Sequence, residues 1–390
     1  MKSDVVVIGA GIIGSSIAYH LAQRKASVIL VEKADLAAGS SGACDGLIFL
    51  QSKKPGIHLQ LAMESRKRFA RLRNSLPVAI EYRESGGMVI IESDEELAVM
   101  QEFVKEQQKI GLDVTLLNAD RARQLEPHLS EHIIGATHSP LDGQVNPIAL
   151  TLGFAMGAKN LGARLITGAT VRGIDTTAGR VSAVESDTGR FEADIVVNAA
   201  GTHAPEIGTM VGLSIPIKPR RGQIIVTEAC PPMLNHCMVS AKYIAAKFSP
   251  EIAKAGGEGI SIEQTETGNF LLGSTREFVG YDKRTTTNGL QRIAAKTAGI
   301  IPALEQVNVI RAFAGLRPYT PDGLPILGQV ADVPGFFMAA GHEGDGIALS
   351  PITGELIAQM IVTGKSDFPL DAFRISRFNV AREDVEVAHG

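Results

Sequence analysis

The sequence predicts an α/β protein whose first unit is built on a parallel sheet. Val5 to Ile8 is a continuous run of β-branched residues, which is typical of a strand buried on both faces. A helical apolar pattern with Ile17 and Leu21 on one face follows, and a second apolar run, Val28 to Val31, comes next. This strand–helix–strand order favours a parallel sheet.

The turn between the first strand and the helix carries three glycines in the spacing G-x-G-x-x-G. Gly9 makes the tight turn, Gly11 lets a pyrophosphate approach the backbone, and Gly14 lets the helix pack closely on the strand. Ile12 and Ile13 belong to the helix N-terminus, whose free N–H groups and partial positive charge suit phosphates. In this context the motif predicts dinucleotide binding.

Two residues at the end of the second strand refine the choice of dinucleotide. Glu32 lies 18 residues after Gly14, where a carboxylate can hold a pair of ribose hydroxyls, and Lys33 is assigned to the same site. No arginine nearby suits a ribose 2′-phosphate, so FAD or NAD fits and NADP fits poorly.

The segment 36–46 that follows is small, polar and rich in glycine and serine, and it favours FAD over NAD. A flexible backbone of this kind can run alongside an extended cofactor and meet it through N–H groups. Ser40, Ser41 and Gly42 are therefore candidate FAD-binding residues. Taken alone, the same composition also fits an ordinary surface loop.

Composition excludes several other classes of protein. The 390 residues suffice for two or three domains, and a net charge of −4 argues against binding to nucleic acid. No apolar run approaches the roughly 18 residues that a membrane helix needs. Cys44, Cys230 and Cys237 form no C-x-x-C pair, so no disulfide framework, iron–sulfur cluster or metal site is predicted. Reduced thiols indicate a cytoplasmic protein.

Five further segments carry a family resemblance, and they lie at 169–174, 193–202, 219–223, 315–328 and 340–351. With the glycine motif, they resemble the FAD-dependent amino-acid oxidoreductase superfamily. That group includes glycine oxidase, sarcosine oxidase, D-amino-acid oxidase and dehydrogenase, and the β subunits of proline, hydroxyproline and opine dehydrogenases. The resemblance runs from Val5 to about Phe373.

The resemblance implies a Rossmann-like FAD-binding domain interleaved with an α+β substrate domain on a mixed sheet. The FAD-binding domain would comprise 1–80, 145–215 and 312–370, the substrate domain 81–144 and 216–311, and a polar tail 376–390. The further FAD-contacting residues that it implies are Val171, Ala200, Gly201, Gly344, Asp345, Gly346 and Ile347. No cysteine or histidine indicates a covalent flavin link, so FAD is expected to bind non-covalently.

Arg317 is the candidate catalytic residue. It lies among small and apolar residues beside Pro318, so its guanidinium is expected to be partly buried and to meet an anion. A carboxylate matches the planar fork. From the residues alone, a structural salt bridge to an internal Asp or Glu is the stronger interpretation, whereas the resemblance implies that Arg317 binds the substrate carboxylate.

The implied reaction is oxidation of the Cα–N bond of a small amino or imino acid by hydride transfer to flavin N5. The substrate would be a D-amino acid, an N-substituted glycine, proline, hydroxyproline or an opine, and no protein base is assigned. Glycine oxidase has a substrate-contacting Tyr near the position of Ser261, and the absence of that Tyr here puts glycine in doubt. Glu343 and Asp345 either recognise a cationic substrate group or point into solvent.

Several elements complete the prediction. Helices are expected near Leu59 to Leu76 and Glu95 to Ile110, with strand material at Ile80 to Glu84 and at Gly87 to Ile91. Ser350-Pro351 suits the first turn of a helix that follows the loop 341–346. The N-terminus of that helix is expected to face the flavin and to stabilise negative charge on it.

Alternatives remain open for the chemistry and the partners. The electron acceptor is oxygen, a quinone or a partner redox subunit, with a small preference for the dehydrogenase-type β subunits. The chain forms a homo-oligomer or a hetero-oligomer with other redox subunits. A non-catalytic flavoprotein subunit and an FAD oxidoreductase acting on a hydroxy acid are the rival functions.

Overall fold

The computed structural model describes residues 1–248 and 259–378. Its helices are α1 Ile12–Gln23, α2 Ile57–Ser75, α3 Asp94–Lys109, α4 Ala119–Leu125, α5 Pro147–Asn160, α6 Ala204–Thr209, α7 Ala241–Phe248, α8 Thr287–Ile300 and α9 Gly346–Thr363. Its strands up to the middle of the chain are β1 Val5–Ile8, β2 Val28–Val31, β3 Leu47–Ile48, β4 Gly87–Ile91, β5 Thr115–Asn118, β6 Gly135–Ser139, β7 Gly143–Gln144, β8 Arg164–Ile166, β9 Val171–Thr177 and β10 Arg180–Ser186. The remaining strands are β11 Gly189–Glu192, β12 Ile195–Asn198, β13 Lys218–Ala229, β14 Cys237–Ser240, β15 Ser261–Gln264, β16 Asn269–Gly273, β17 Val309–Tyr319, β18 Ile326–Gln329 and β19 Phe336–Ala340.

A six-stranded sheet has the order β18-β19-β12-β1-β2-β8 and is parallel except for β18. Alternate residues of β1 enter different cores: Val5 and Val7 pack with α1, α5 and α9, whereas Val6 and Ile8 pack beneath the three-stranded sheet β9–β11. Both faces are therefore covered, which explains why β1 is apolar without alternation. The predicted α/β class and the order β1–α1–β2 are confirmed.

An eight-stranded sheet has the order β17-β13-β16-β15-β14-β4-β6-β5. Strand β14 runs parallel to β4, and the other neighbouring pairs are antiparallel, so the sheet is mixed, as predicted. One face packs on α8 through residues such as Ile262, Leu272 and Ile293.

Three of the four element predictions between residues 57 and 110 are confirmed, because α2 and α3 lie within two residues of the expected bounds and β4 covers Gly87–Ile91. The expected strand at Ile80 to Glu84 is wrong. Only Arg83 forms a bridge there, to Gln144, and Glu81 has a φ of 53°, a left-handed conformation that interrupts an extended run.

The expected helix start at Ser350-Pro351 is also wrong, because α9 begins at Gly346 and Pro351 lies inside it. A proline cannot donate to the carbonyl four residues before it, here that of Ile347. The Ser350 hydroxyl donates to that carbonyl at 2.9 Å, which replaces the missing hydrogen bond. The Ser-Pro pair therefore lies in the interior of the helix, where the serine side chain bonds the carbonyl that proline leaves without a donor.

Helix α9 is long and apolar enough to be compared with a membrane-spanning helix. By length and composition, Glu343–Thr363 is the one stretch among the described residues that could span a bilayer. In the fold, 61% of its most apolar 18-residue stretch is buried inside the protein, where α9 packs on α1 and α2. The predicted tail, 376–390, begins inside a 3-10 helix, Ile375–Phe378, and 379–390 lie outside the described residues.

Candidate active site

A cavity of about 410 Å³ lies where the carboxyl ends of β1, β2, β12 and β19 meet the eight-stranded sheet. Its size is within the range of small-molecule sites, and the carboxyl ends of parallel strands are where such sites form. All the residues predicted to bind FAD line this cavity except Gly14 and Gly42, and so does Arg317.

The glycine turn forms one end of the cavity. Gly9 has a φ of 101°, and a Cβ there would lie 2.6 Å from the Ala199 carbonyl oxygen. A Cβ on Gly14 would lie 1.9 Å from the carbonyl oxygen of Gly9. Gly14 therefore acts behind the cavity wall by letting α1 approach β1. The helix N-cap, Gly11, has no side chain to cover the first amides of α1.

The segment around Ser40–Gly42 folds as a 3-10 turn against the glycine turn. Ser41 Oγ accepts a hydrogen bond from the Ile12 amide at 2.9 Å, and Ser40 Oγ donates to the carbonyl of Leu316. A Cβ on Gly42 would lie 2.4 Å from the Ala37 carbonyl oxygen, so Gly42 permits the turn and does not face the cavity. The segment is thus fixed between both sheets and is not a free surface loop.

The carboxylate of Glu32 is held at the end of β2. Its Oε2 accepts from the Ala10 amide at 2.8 Å, and its Oε1 accepts from the Ala34 amide at 3.0 Å. These bonds fix its orientation toward the cavity, which Lys33 also lines. Two further contributions come from distant segments: Val171 at the start of β9, and Ala200 and Gly201 after β12.

The N-terminus of α9 closes the opposite side of the cavity, which Gly344, Gly346 and Ile347 line. Asp345, the N-cap, is 4% exposed, and its carboxylate lies 2.6 Å from the buried Lys53 ammonium and 3.2 Å from His58 Nε2. The cation of Lys53 offsets a carboxylate that would otherwise be costly to bury.

Glu343 is likewise buried and bonded to other residues of the protein. It is 9% exposed, forms an ion pair with Arg220, and accepts a hydrogen bond from the Gly344 amide. Neither Glu343 nor Asp345 points into solvent, which corrects that interpretation. Both carboxylates have cationic partners from this chain, which also weakens the interpretation that they bind a cation on the substrate.

Arg317 lies in β17 with its guanidinium beside the cavity. Nη1 donates to the Thr275 carbonyl at 3.1 Å, and Nη2 donates to Ser274 Oγ. Burial lowers the pKa of the guanidinium below its ordinary value, an effect that nearby Glu343 opposes. Within 1–248 and 259–378, no carboxylate forms an ion pair with it, so the salt bridge weighed from sequence is not found.

Sequence reasoning did not assign Asp45, a polar residue of the cavity wall, or Glu263, which lies near it. Asp45 lines the cavity and accepts a hydrogen bond from Ser261 Oγ at 3.0 Å. Glu263, 4% exposed, accepts from the Gly46 amide at 3.0 Å. Burial, with the Asp45 charge nearby, raises the pKa of Glu263 to about 8. The alternation of polar Ser261 and Glu263 with Ile260 and Ile262 is the signal that could have identified this wall.

Comparison with known proteins defines the class. The DAO family, described as FAD dependent oxidoreductase, matches residues 4–360. The chain belongs to this family of FAD-dependent oxidoreductases, which confirms the class and the cofactor expected from sequence.

Individual relatives are similar over almost their whole lengths. Glycine oxidase from Geobacillus kaustophilus (strain HTA426) is 31% identical, with 96% of this chain and 97% of that protein covered. Hydrogen cyanide synthase subunit HcnC from Pseudomonas aeruginosa is 29% identical, with 99% and 98% covered. The solved structure of L-proline dehydrogenase from P. horikoshii has a TM-score of 0.88 at 28% identity, with 97% and 98% covered.

The residues around the cavity fit FAD. At the start of α1 the N-cap residue, Gly11, has no side chain, so a phosphate can approach the backbone there, and Glu32 is positioned nearby for ribose hydroxyls. The start of α9 adds a second helix N-terminus at the other side of the cavity. An elongated dinucleotide, whose diphosphate lies between its two ends, matches this arrangement.

Gly14→Ala is expected to lower FAD content and thermal stability together, because the added Cβ collides with backbone and must push α1 away from β1. The measurement is flavin absorbance per protein, with Tm. Gly299→Ala in α8 is the matched control, since its Cβ meets nothing within 4 Å and alanine favours a helix. Equal FAD content in both variants would contradict the assigned role of Gly14.

Proposed function

We propose that the chain oxidises the Cα–N bond of a small amino or imino acid, with FAD held by the residues named above. The observation that carries the proposal is the guanidinium of Arg317, which is buried beside the cavity and whose hydrogen bonds to the described residues go to neutral acceptors. A buried cation without a counter-charge is costly, and a substrate carboxylate supplies the missing charge.

In this proposal Arg317 binds and orients the substrate. The Ser274 hydroxyl and the Thr275 carbonyl hold its guanidinium in place, so that little freedom is lost when a carboxylate binds. FAD, when bound, supplies the two-electron oxidising chemistry. The amide groups at the start of α9 stabilise negative charge on that side of the cavity. No residue is assigned as a base.

Domain limits follow from the sheets. The strands of the six-stranded sheet come from 5–31, 164–166, 195–198 and 326–340. They support an FAD-binding domain made of 1–80, 145–215 and a third segment that ends at 370. Strand β17 pairs along β13 in the eight-stranded sheet. We therefore propose that the last boundary lies near 320 and not at 312.

The proposal extends to the electron acceptor and the cell compartment. A relative named as a synthase subunit supports a chain that works with other subunits, and we propose that its electrons pass to such a partner and not to oxygen. Stopped-flow mixing of reduced protein with oxygen tests this: slow reoxidation is expected, and rapid reoxidation would contradict it. The three free cysteines are consistent with the cytoplasm.

The deciding experiment is anaerobic mixing of the FAD-loaded protein with D-amino acids, sarcosine, proline, hydroxyproline and opines. Bleaching of the flavin absorbance by at least one of them is expected. A flavin that no amine bleaches would favour a non-catalytic subunit. Bleaching by 2-hydroxy acids alone would assign the chain to hydroxy-acid oxidation instead.

A further inference from the structure

Five carboxylates from the described part of the chain line the cavity, and one of them lacks a nitrogen donor as its partner. The four that have such a partner are Glu32, Glu206, Glu343 and Asp345. The fifth is Asp45, which is half-buried and whose Oδ2 accepts from the neutral Ser261 hydroxyl at 3.0 Å. No lysine, arginine or histidine of the described residues forms an ion pair with it. The carboxylate of Asp45 is thus available to a cation that enters the cavity.

The segment that carries Asp45 packs on β17 next to Arg317. A Cβ on Gly315 would lie 2.0 Å from the Ala43 carbonyl oxygen, so the segment touches the strand two residues before the guanidinium. Cys44, on the cavity wall, is influenced by both charges: burial raises the pKa of its thiol, the charge of Asp45 raises it further, and the charge of Arg317 lowers it. The carboxylate and the guanidinium therefore lie within interaction distance of the same side chain.

The hydrogen-bond partner of Asp45 leads to the same arginine. Ser261 pairs with Gly273 across β15 and β16, and Ser274, the next residue, accepts from Nη2 of Arg317. Ser261, Ser274, Arg317 and Asp45 all line the cavity. An anion-binding group and a cation-binding group therefore share one stretch of wall, and an amino acid in its zwitterionic form needs both.

A second acid near Asp45, Glu263, does not add to its charge at neutral pH. Glu263 is 4% exposed and accepts from the amide of Gly46 at 3.0 Å. Burial, with the charge of Asp45, raises the pKa of Glu263 to about 8, so its carboxyl group holds a proton at pH 7. Of two neighbouring acids, the more deeply buried one keeps its proton. A single negative charge therefore faces the cavity, at Asp45.

We infer that Asp45 binds the amino group of the substrate and accepts one of its protons, while Arg317 binds the carboxylate. This inference rests on the proposed function and adds the proton acceptor that the proposal leaves unassigned. An amine arrives protonated at neutral pH, and its nitrogen electron pair is then held in an N–H bond. That N–H bond breaks, an O–H bond forms on Asp45, and the pair stays on nitrogen, where it can form the C=N bond of the product. Asp45 afterwards releases the proton to water.

The pH dependence of flavin bleaching tests the proton transfer. With whichever amine bleaches the flavin, anaerobic stopped-flow mixing gives the second-order rate constant of bleaching. In the wild type this constant is expected to stay within about 3-fold from pH 5.5 to 7, because the protonated amine binds and Asp45 removes the proton. In Asp45→Asn only amine that is already neutral in solution reacts. The constant is then expected to rise about tenfold per pH unit and to lie about 10²- to 10⁴-fold below the wild type at pH 7.

The groups around Asp45 leave this pH range clear. The charged and titratable groups that face Asp45 or its neighbour Glu263 are Cys44, Arg83, Cys237 and Arg317. Burial raises the pKa of both thiols well above its ordinary value, and guanidinium groups stay protonated. With the pKa of Glu263 at about 8, a change of slope below pH 7 in Asp45→Asn reports on Asp45 itself.

Two further variants control for structural damage. Asp45→Glu keeps the charge and displaces it, so it is expected to keep the flat profile at a reduced rate. Asp35→Asn changes an exposed aspartate whose Oδ1 accepts from the Leu36 amide at 2.8 Å, a bond that asparagine can also make, and it should match the wild type. Equal slopes in the wild type and Asp45→Asn would overturn the inference. So would loss of FAD from Asp45→Asn, because Asp45 would then serve the cofactor.

A binding measurement separates this inference from the proposed function. Dimethylsulfonioacetate and 3-methylbutanoate have the same shape, but the first carries a permanent positive charge where an amino acid carries its amine. In the FAD-loaded wild type the sulfonium compound is expected to bind about 10- to 100-fold more tightly by calorimetry, which is the part of the charge attraction that remains after desolvation. Asp45→Asn is expected to remove this preference.

The two measurements together assign each failure. If the sulfonium preference depends on Asp45 but no amine bleaches the flavin, the proposed function fails and the cation site stands. If amines bleach the flavin and the wild type shows no preference for the sulfonium compound, the inference fails alone. A preference that persists in Asp45→Asn would likewise overturn it.

Discussion

Arg317→Leu is expected to raise the substrate KM by two to three orders of magnitude while FAD content stays unchanged. The variant loses the fork that binds the carboxylate, and it leaves the substrate's charge buried without a partner. Removing one member of a buried ion pair costs about 3–5 kcal/mol, and each 1.4 kcal/mol corresponds to a factor of ten. Among the described residues, the side chain of Arg317 donates hydrogen bonds to Ser274 and Thr275, neither of which is assigned to FAD, so FAD is expected to be retained.

Steady-state kinetics with whichever amine bleaches the flavin gives KM, and absorbance gives FAD content. Arg317→Lys is the informative companion, because an ammonium keeps the charge without the two parallel bonds and should give an intermediate KM. A KM that is unchanged in Arg317→Leu would remove Arg317 from the substrate site. Loss of FAD in the leucine variant would indicate a structural role instead.

The second large effect concerns the pH dependence of stability. Burial raises the pKa of Glu263 to about 8 from an ordinary value of 4.5. Between these values the folded protein holds a proton that the unfolded chain has released, so the contribution of Glu263 to stability falls as pH rises from about 4.5 to about 8. At 1.4 kcal/mol per pKa unit, the loss is on the order of 3–5 kcal/mol.

Glu263→Gln keeps the shape and is neutral at every pH, so it should be more stable than the wild type above pH 8 and nearly equal to it near pH 5. Tm measured across that range checks the expectation. Glu266→Gln, on an exposed residue of the same hairpin, provides the matched control and should follow the wild type. Parallel curves for all three proteins would show that Glu263 is not buried as a neutral acid.

Local patterns explain which elements could be predicted from sequence. The order β1–α1–β2 was accessible because strand, glycine turn and helix lie within 31 residues and each has a pattern of its own. The prediction of a strand at 80–84 is wrong because these residues form a loop, in which the left-handed conformation of Glu81 turns the chain. Pro351 suggested a helix start because the hydrogen bond that repairs the helix comes from a side chain, Ser350.

The residues of the candidate site also fall into two groups: those in continuous sequence motifs, which could be predicted, and those defined by distant partners, which could not. The glycine turn and the α9 loop are continuous motifs, and the sequence placed both on one cavity. Lys53 and Asp45 were missed because their significance arises from distant partners: Lys53 pairs with Asp345, and Asp45 accepts a hydrogen bond from Ser261. No spacing along the chain encodes such pairs, whereas the fold brings them within contact distance.

The strand order of the six-stranded sheet has a consequence for biosynthesis. Strand β1 lies between β2 and β12. Gly9, at the end of β1, packs against Ala199, and these two residues are 190 positions apart in the sequence. Contacts between residues that lie far apart in the sequence form slowly, because the long intervening chain must first lose conformational entropy. The N-terminal half therefore emerges from the ribosome without a finished binding site, and loading with the yellow coenzyme has to follow release of nearly the entire polypeptide.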